Sequence, residues 1–272
     1  MIRTLRPYGL SGGGVWPNGI VTAQLPLTGE RTVPGIAAER YWFLRHEVVY
    51  RWLLAGPLGA LARSGAVVVD AGAGEGYGAD ALAAAGARAV ALDYDIAAVA
   101  HIATSYPRVR AVRCNLAALP ILDAGASALV SLQVVEHLWD LGQFLGECRR
   151  VLHPQGAIVV STPNRPVFSP GLGRGAKPTN PFHVEEFDAE QVAGMLRHAG
   201  FADVRISGLH HAGAIAEWEA QHGSIVAAHV EAALTGVWAP ELSELLPTLV
   251  LSDFAVGDPQ GAQDLIGLAT RP

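Results

Sequence analysis

Between Val67 and Leu82 the chain reads VVVDAGAGEGYGADAL: a short apolar run, Asp70, then glycine at 72, 74, 76 and 78 with Glu75 among them. Glycines placed directly after a strand and opening a helix bring backbone N–H groups up to a ligand, whereas a turn that only reverses the chain needs fewer of them. A dinucleotide fingerprint needs G-x-G-x-x-G, and here the third glycine, Gly76, comes one place early. The acids raise a second objection, because a pyrophosphate would lie close to the carboxylates of Asp70 and Glu75. A cationic ligand gains from both.

S-adenosylmethionine carries a sulfonium and an α-ammonium, and its ribose calls for an acidic partner at the end of the following strand. The stretch AVALDYD supplies Asp93, 21 residues beyond Gly72, near the spacing of about 20 expected for a ribose-diol contact. A nicotinamide-dependent oxidoreductase is the rival from another enzyme class, and a non-catalytic binding module is a third reading.

These residues need a scaffold, and the pattern around them supplies one. Short apolar runs at 66–70, 88–92, 109–113, 127–132, 156–161, 202–207 and 263–269 alternate with helical stretches at 77–85, 95–104, 139–151 and 188–199. This alternation predicts an α/β fold, a doubly wound, mostly parallel sheet with helices on both faces. A helix ahead of the first strand carries Trp42, His46, Val49 and Leu53 as a stripe and ends near Gly56–Pro57. Residues 1–36 read as an irregular Gly/Pro-rich N-terminal arm, and 37–272 as one domain. Within that domain, 162–187 holds five prolines and reads as a long loop. Residues 208–258 read as an insertion or cap over the acceptor site, or as the surface of a homodimer, with a helix at 213–235 and another at 240–250.

Half of the 272 residues are hydrophobic and the formal net charge is −6. The core is therefore ample, and the charge argues against nucleic acid or an anionic membrane surface as partner. No apolar stretch reaches the roughly 18 residues that a spanning helix needs. Arg3 and Arg6 have no apolar run behind them, so the start does not read as a secretory signal. Cys114 and Cys148 are too few for a disulfide framework, and a reducing cytoplasmic setting fits.

VVVDAGAGEGYG, ALDYD and VSLQVVEHL, in that order, resemble the successive motifs of class I S-adenosylmethionine-dependent methyltransferases. The resemblance implies a Rossmann-like seven-stranded sheet of order 3-2-1-4-5-7-6 with the last strand antiparallel. It implies that Asp70, Gly72 and Gly74 line the methionine end of the cofactor and that Asp93 holds the ribose. Many members bind the adenine amino group with an Asp after the third strand. Here the stretch is RCNLAALP, which leaves Asn115 to accept that bond and Leu116 to pack on the ring. Gln133, at the end of the fourth strand, is expected to face the methionine moiety. LTGERTVPG, YWFLRHEVVY, GEGYGAD, EHLWD, STPNRPVFSPG and NPFHVEEF together are similar to the actinobacterial sugar O-methyltransferases of polymethylated polysaccharide biosynthesis. That likeness implies a small saccharide acceptor, a short methylated mannoside methylated at its 1-OH, with 6-O-methylation of a glucose polymer as the near alternative. A lipid, quinone or other small acceptor would use the same cofactor residues.

Transfer of a methyl group from a sulfonium to an alcohol is an in-line displacement, so positioning supplies much of the rate. A sugar hydroxyl is a poor nucleophile at neutral pH, and a base helps by roughly 10²–10⁴. His137, just past the fourth strand at the carboxyl edge of the sheet, is the first candidate, with Glu136 beside it. The bland alternative makes His137 a backbone-bonded residue at the next helix. His183, with Glu185 and Glu186 in NPFHVEEF, forms a second cluster, expected to meet the sugar hydroxyls as the long loop closes, with His183 the next candidate base; the two acids also read as solvated charges before a helix capped by Asp188. Tyr41, Trp42, Arg45 and His46 are expected either over the cofactor or in the core. His210, His211, Trp218 and His222 read singly as packing or surface. Glu136, His137, Asp140 and His183 also offer oxygen and imidazole ligands, for which Mg²⁺ is a candidate, but no ligand spacing stands out and no metal ligand is assigned.

Overall fold

Val68 and Val69 are both fully buried, in cores on opposite faces of one sheet, as successive residues of a strand covered on both sides must be. The computed structural model describes residues 32–272, so the expected arm, apart from its last five residues, lies outside the described residues. In chain order the elements are α1 (Arg40–Ala55), α2 (Gly59–Arg63), β1 (Val67–Ala71), α3 (Tyr77–Ala84), β2 (Arg88–Asp93), α4 (Ile96–Ser105), β3 (Arg110–Arg113) and β4 (Ala126–Leu132). There follow α5 (Leu141–Val151), β5 (Leu152–Pro163), α6 (Arg165–Phe168), α7 (Ala189–His198), β6 (Ala202–His211), α8 (Gly213–His222), α9 (Ile225–Thr235), α10 (Pro240–Leu245), β7 (Phe254–Gly257) and β8 (Asp264–Thr270).

The sheet order is β3-β2-β1-β4-β5-β8-β6-β7. Strands β1 to β5 pair in parallel, and β8 lies antiparallel between β5 and β6. With β8 as the last strand of the expected order, the arrangement is the Rossmann-like one of class I methyltransferases. The sheet differs in having an eighth strand. β6 continues to His211, past the expected end at 207, which leaves a bare edge; β7 covers it in register from Gly208↔Gly257 to His211↔Phe254. The single helix expected over 213–235 is two. Gly223 turns the chain at φ +84°, and the Ser224 hydroxyl then caps α9 by accepting the Ala227 N–H.

One face of the sheet packs on α1, α2 and the 208–258 segment: Tyr41, Leu44 and Leu53 share a core with Ile215, Trp218, Leu242 and Phe254. The other face packs on α5 and α7 through Phe144, Leu145, Val192 and Leu196. α1 is further fixed by a partly buried chain in which the Tyr41 hydroxyl meets His211 Nε2 at 2.8 Å and His211 Nδ1 meets Glu219 Oε2 at 2.8 Å. No helix among the described residues is long and apolar enough to cross a membrane.

Candidate active site

The carboxyl ends of β1, β2 and β4 open on one cleft of about 390 Å³, within the range of small-ligand sites. Its floor is the glycine loop, Gly72 to Glu75. Gly72 has φ +80°, and a Cβ there would come within 2.4 Å of Val134, itself a cleft residue. Gly78 serves a different purpose. A Cβ at that position would strike the Tyr50 ring at 2.0 Å, so its absence lets Tyr50 reach across from α1 and donate its hydroxyl to both oxygens of Asp70 at 3.0 Å.

That bond decides where the two loop acids sit. Asp70 is 1% exposed and lies behind the floor, outside the residues that line the cleft. Burial pushes its carboxyl up to about 7. Glu75 is held from α4 and the loop that follows it, Oε1 by His101 Nε2 and Oε2 by the Tyr106 hydroxyl, each at 2.7 Å. Its carboxylate anchors the loop sideways. Of the two loop acids, Glu75 lines the cleft with both carboxylate oxygens engaged and Asp70 lies behind it, while Asp93 lines the cleft without such a side-chain partner. Its Oδ2 accepts the Gly74 N–H and its Oδ1 the Asp95 N–H, both at 2.8 Å. Asn115 is exposed, its Oδ1 accepts the Ala117 N–H at 2.9 Å, and neither it nor buried Leu116 borders the cleft.

Gln133 lines the cleft from the end of β4 in a left-handed conformation, φ 55°. Its Oε1 accepts from Arg45 at 3.1 Å, and its Nε2 donates to the Ser161 hydroxyl at 3.2 Å. Arg45, 4% exposed, spends the rest of its guanidinium on Asp264 of β8 and packs over the Trp42 and Phe168 rings. It therefore ties α1 to the strand ends beneath the site.

His137 also lines the cleft, and so does Phe182 from the long 162–187 loop. Its Nδ1 lies 3.1 Å from the Phe182 carbonyl oxygen. The carbonyl can only accept, which puts the proton on Nδ1 and the lone pair on Nε2. Burial holds this imidazole below the usual histidine range. Glu136 is 1% exposed, outside the cleft lining, with Oε1 3.9 Å from His137 Nε2; burial raises its carboxyl to about 8. His183 is 8% exposed and likewise outside the lining: Nδ1 meets Glu186 Oε1 at 2.7 Å and Nε2 meets the Asn180 amide nitrogen at 2.9 Å. Glu185 sits 3.5 Å from the Gln191 amide, and Asp140 caps α5 at Gln143.

Of the four α1 residues expected over the cofactor or in the core, His46 lines the cleft, Tyr41 and Arg45 are buried, and Trp42 packs against the core. Four cleft residues with polar or aromatic side chains were not anticipated: Thr32, Tyr50, Tyr77 and Phe182. The Tyr77 hydroxyl bonds both Thr32 at 3.0 Å and His46 Nδ1 at 2.6 Å. Tyr77 was in plain view between Gly76 and Gly78, but its contacts come from segments far away in the sequence. Among the described residues of 208–258 none reaches the cleft; Trp218 is buried, and His210 bonds the Asp258 carbonyl. A separate space of about 240 Å³ between Ala37–Ala38 and Trp238–Pro247 shares no residue with it.

Residues 69–160 match the family described as a methyltransferase domain. The chain is 44% identical over 263 residues to a protein of Mycolicibacterium smegmatis described as a probable S-adenosylmethionine-dependent methyltransferase, covering 94% of this chain and 99% of that one. A Mycobacterium tuberculosis protein of the same description is 44% identical over 258 residues, 92% of this chain and 91% of its own. Among solved structures, an S-adenosylmethionine-dependent methyltransferase of Thermotoga maritima superposes with a TM-score of 0.56 at 14% identity, covering 85% of this chain and 93% of that one. One from Archaeoglobus fulgidus gives 0.53 at 19% identity, covering 85% and 99%. These two speak to the fold.

Proposed function

Because the chain belongs to the S-adenosylmethionine-dependent methyltransferases, we propose that it methylates a saccharide hydroxyl, with a short methylated mannoside, at its 1-OH, as the acceptor. The nicotinamide-oxidoreductase reading falls with the family assignment. When bound, S-adenosylmethionine supplies a methyl group on a cationic sulfur. The cleft fits that group. An ionised carboxylate offers about four acceptor sites; two on Asp93 are taken by backbone N–H groups, and two remain for a vicinal diol. The side-chain-free face of Gly72 lets a nucleoside approach the backbone.

One observation carries the proposal: His137 lines the same cleft as Asp93, in the tautomer that keeps Nε2 basic. In this reading Nε2 takes the proton of the acceptor hydroxyl as its oxygen is alkylated. The Phe182 carbonyl holds the ring and favours the imidazolium that results. Thr32, His46, Tyr77 and Gln133 give the cleft hydroxyl, imidazole and amide groups suited to a polyol, and the Phe182 ring is a surface for a sugar face. The choice of a saccharide rests on the likeness of segments that include 27–35, 161–171 and 180–187 to sugar O-methyltransferases; that likeness covers mannoside and glucose acceptors alike, and the acceptor panel separates them. An apolar pocket beneath 208–258 opening on the donor site would have favoured a lipid or quinone. The apolar space found there is separate.

The test incubates the protein with S-adenosylmethionine and a panel of methylated mannosides, methylated glucosides and a quinol. Release of S-adenosylhomocysteine is expected with a mannoside, and silence with every saccharide would remove the acceptor class. His137→Ala should lower turnover by roughly 10²–10⁴ while cofactor affinity stays within a few-fold. Turnover retained within a few-fold would move the base elsewhere.

A further inference from the structure

Glu136, His137 and His183 bring one carboxylate oxygen and two imidazole nitrogens within 4.8 Å of one another. Two chain segments meet there, the turn after β4 and the loop before α7, joined where the Val184 and Glu185 N–H groups donate to the Glu136 carbonyl. We infer that this cluster is a binding site for one divalent transition-metal ion at the rim of the cleft.

Three features support a built site. Both histidines donate Nδ1–H to an oxygen behind them, His137 to the Phe182 carbonyl and His183 to the Glu186 carboxylate. Each therefore carries its lone pair on Nε2, which is the arrangement metal-ligating histidines use. Glu136 Oε2 is buried and carries no hydrogen bond, a costly state for a carboxyl oxygen unless a further partner meets it. The rings of His137 and His183 also stand edge to face, their centres 5.0 Å apart. Bonds of about 2.0–2.2 Å at tetrahedral or octahedral angles put ligand atoms about 3.0–3.5 Å apart, so the widest pair of the cluster closes by about 1.3 Å or more on binding. The Asn180 amide, which donates to His183 Nε2 at 2.9 Å, gives up that place.

The donor set identifies the class of ion. Two imidazoles and one carboxylate suit Mn²⁺, Co²⁺ or Zn²⁺, whereas Mg²⁺ prefers an all-oxygen octahedron. Asp140, whose Oδ1 caps α5, is not one of the grouped ligands. The inference rests on the proposed reading of the same cleft and changes the part His137 plays in it: an ion here would polarise an acceptor oxygen as a Lewis acid and lower its pKa, so that the hydroxyl proton would leave to solvent, with His137 a ligand and not the base.

The experiment uses the full chain, stripped with chelator, and reads binding without donor or acceptor. Titration with Co²⁺ alone, followed by its visible bands, and with Mn²⁺ alone, followed by electron paramagnetic resonance, should show one equivalent bound with micromolar affinity. Binding should weaken at least tenfold in both Glu136→Gln and His183→Gln. Near-ultraviolet circular dichroism confirms that each variant is folded, and the wild-type cobalt spectrum, which reports nitrogen ligation, stands independently of the variants. No binding to wild type, binding unaffected by both substitutions, or equal affinity for Mg²⁺ would overturn the inference. Methyl transfer by the stripped protein is scored separately: if it proceeds, the methyltransferase reading stands with His137 as base and the metal has no part in it.

Discussion

Asp93 offers the sharpest perturbation because its two jobs can be separated. In the structure its carboxylate accepts the Gly74 and Asp95 N–H groups at 2.8 Å each. Hydrogen bonds to a charged acceptor contribute about 1.5–3 kcal/mol each, less where solvent competes. Asp93 is half-buried, so Asp93→Ala should cost about 2–4 kcal/mol of folding stability. The two remaining acceptor sites, if they hold the ribose diol, add a binding loss of about 2–3 kcal/mol, or roughly 30- to 200-fold in Kd. Asp93→Asn separates the terms, since its single amide oxygen can still serve one backbone N–H. It should recover about half of the stability while leaving S-adenosylhomocysteine at least tenfold weaker. Urea unfolding gives the first quantity and isothermal calorimetry the second. If Asp93→Asn binds S-adenosylhomocysteine within twofold of wild type, Asp93 does not hold the nucleoside, and the reading of the cleft fails at that point.

Other consequences follow from the same geometry. Gly72→Ala forces a side chain into φ +80° and to within 2.4 Å of Val134, so calorimetry should find cofactor affinity lowered at least tenfold, with folding costing about 1–3 kcal/mol. Asp70 has a folded pKa near 7, above its ordinary 3.8. Between those values the folded state keeps a proton that the unfolded chain releases, so stability is fully present below about pH 4 and declines as pH rises towards 7, by roughly 4 kcal/mol in all. Urea midpoints at pH 4 and 8 should show this decline in wild type and lose it in Asp70→Asn; parallel profiles would refute it. Arg45→Met leaves Asp264 buried and unpaired and should cost about 3–5 kcal/mol, most of it recovered in Arg45→Met/Asp264→Leu, as measured by chemical denaturation.

The fold was legible wherever one element could be read from its own residues. β1 announces itself through Val67, Val68 and Val69, and α7 through Asp188 and Gln191, which form a full capping box. β7 was missed because four residues, one of them glycine, carry no usable period; only the unexpected length of β6 creates the edge that orders them. The Gly223–Ser224 pair did mark the break between α8 and α9, but the apolar periodicity on either side masked it. In the site, Gly72, Gly74, Asp93, Gln133 and His137 were readable from their places at strand ends. The true positions of Asp70 and Glu75 were not, because their partners Tyr50, His101 and Tyr106 come from α1, α4 and the loop after it. Charge in a motif shows what could face a ligand, and only the fold shows which carboxylates are already engaged.

The position of the bound nucleoside is the most direct test of the cleft's role. A crystal structure of the protein with S-adenosylhomocysteine and a methylated mannoside should place both ribose hydroxyls within about 3 Å of Asp93 and the sulfur end towards Gln133 and His137. A nucleoside bound elsewhere, or Asp93 turned away from it with Gly72–Glu75 uncovered, would contradict the account.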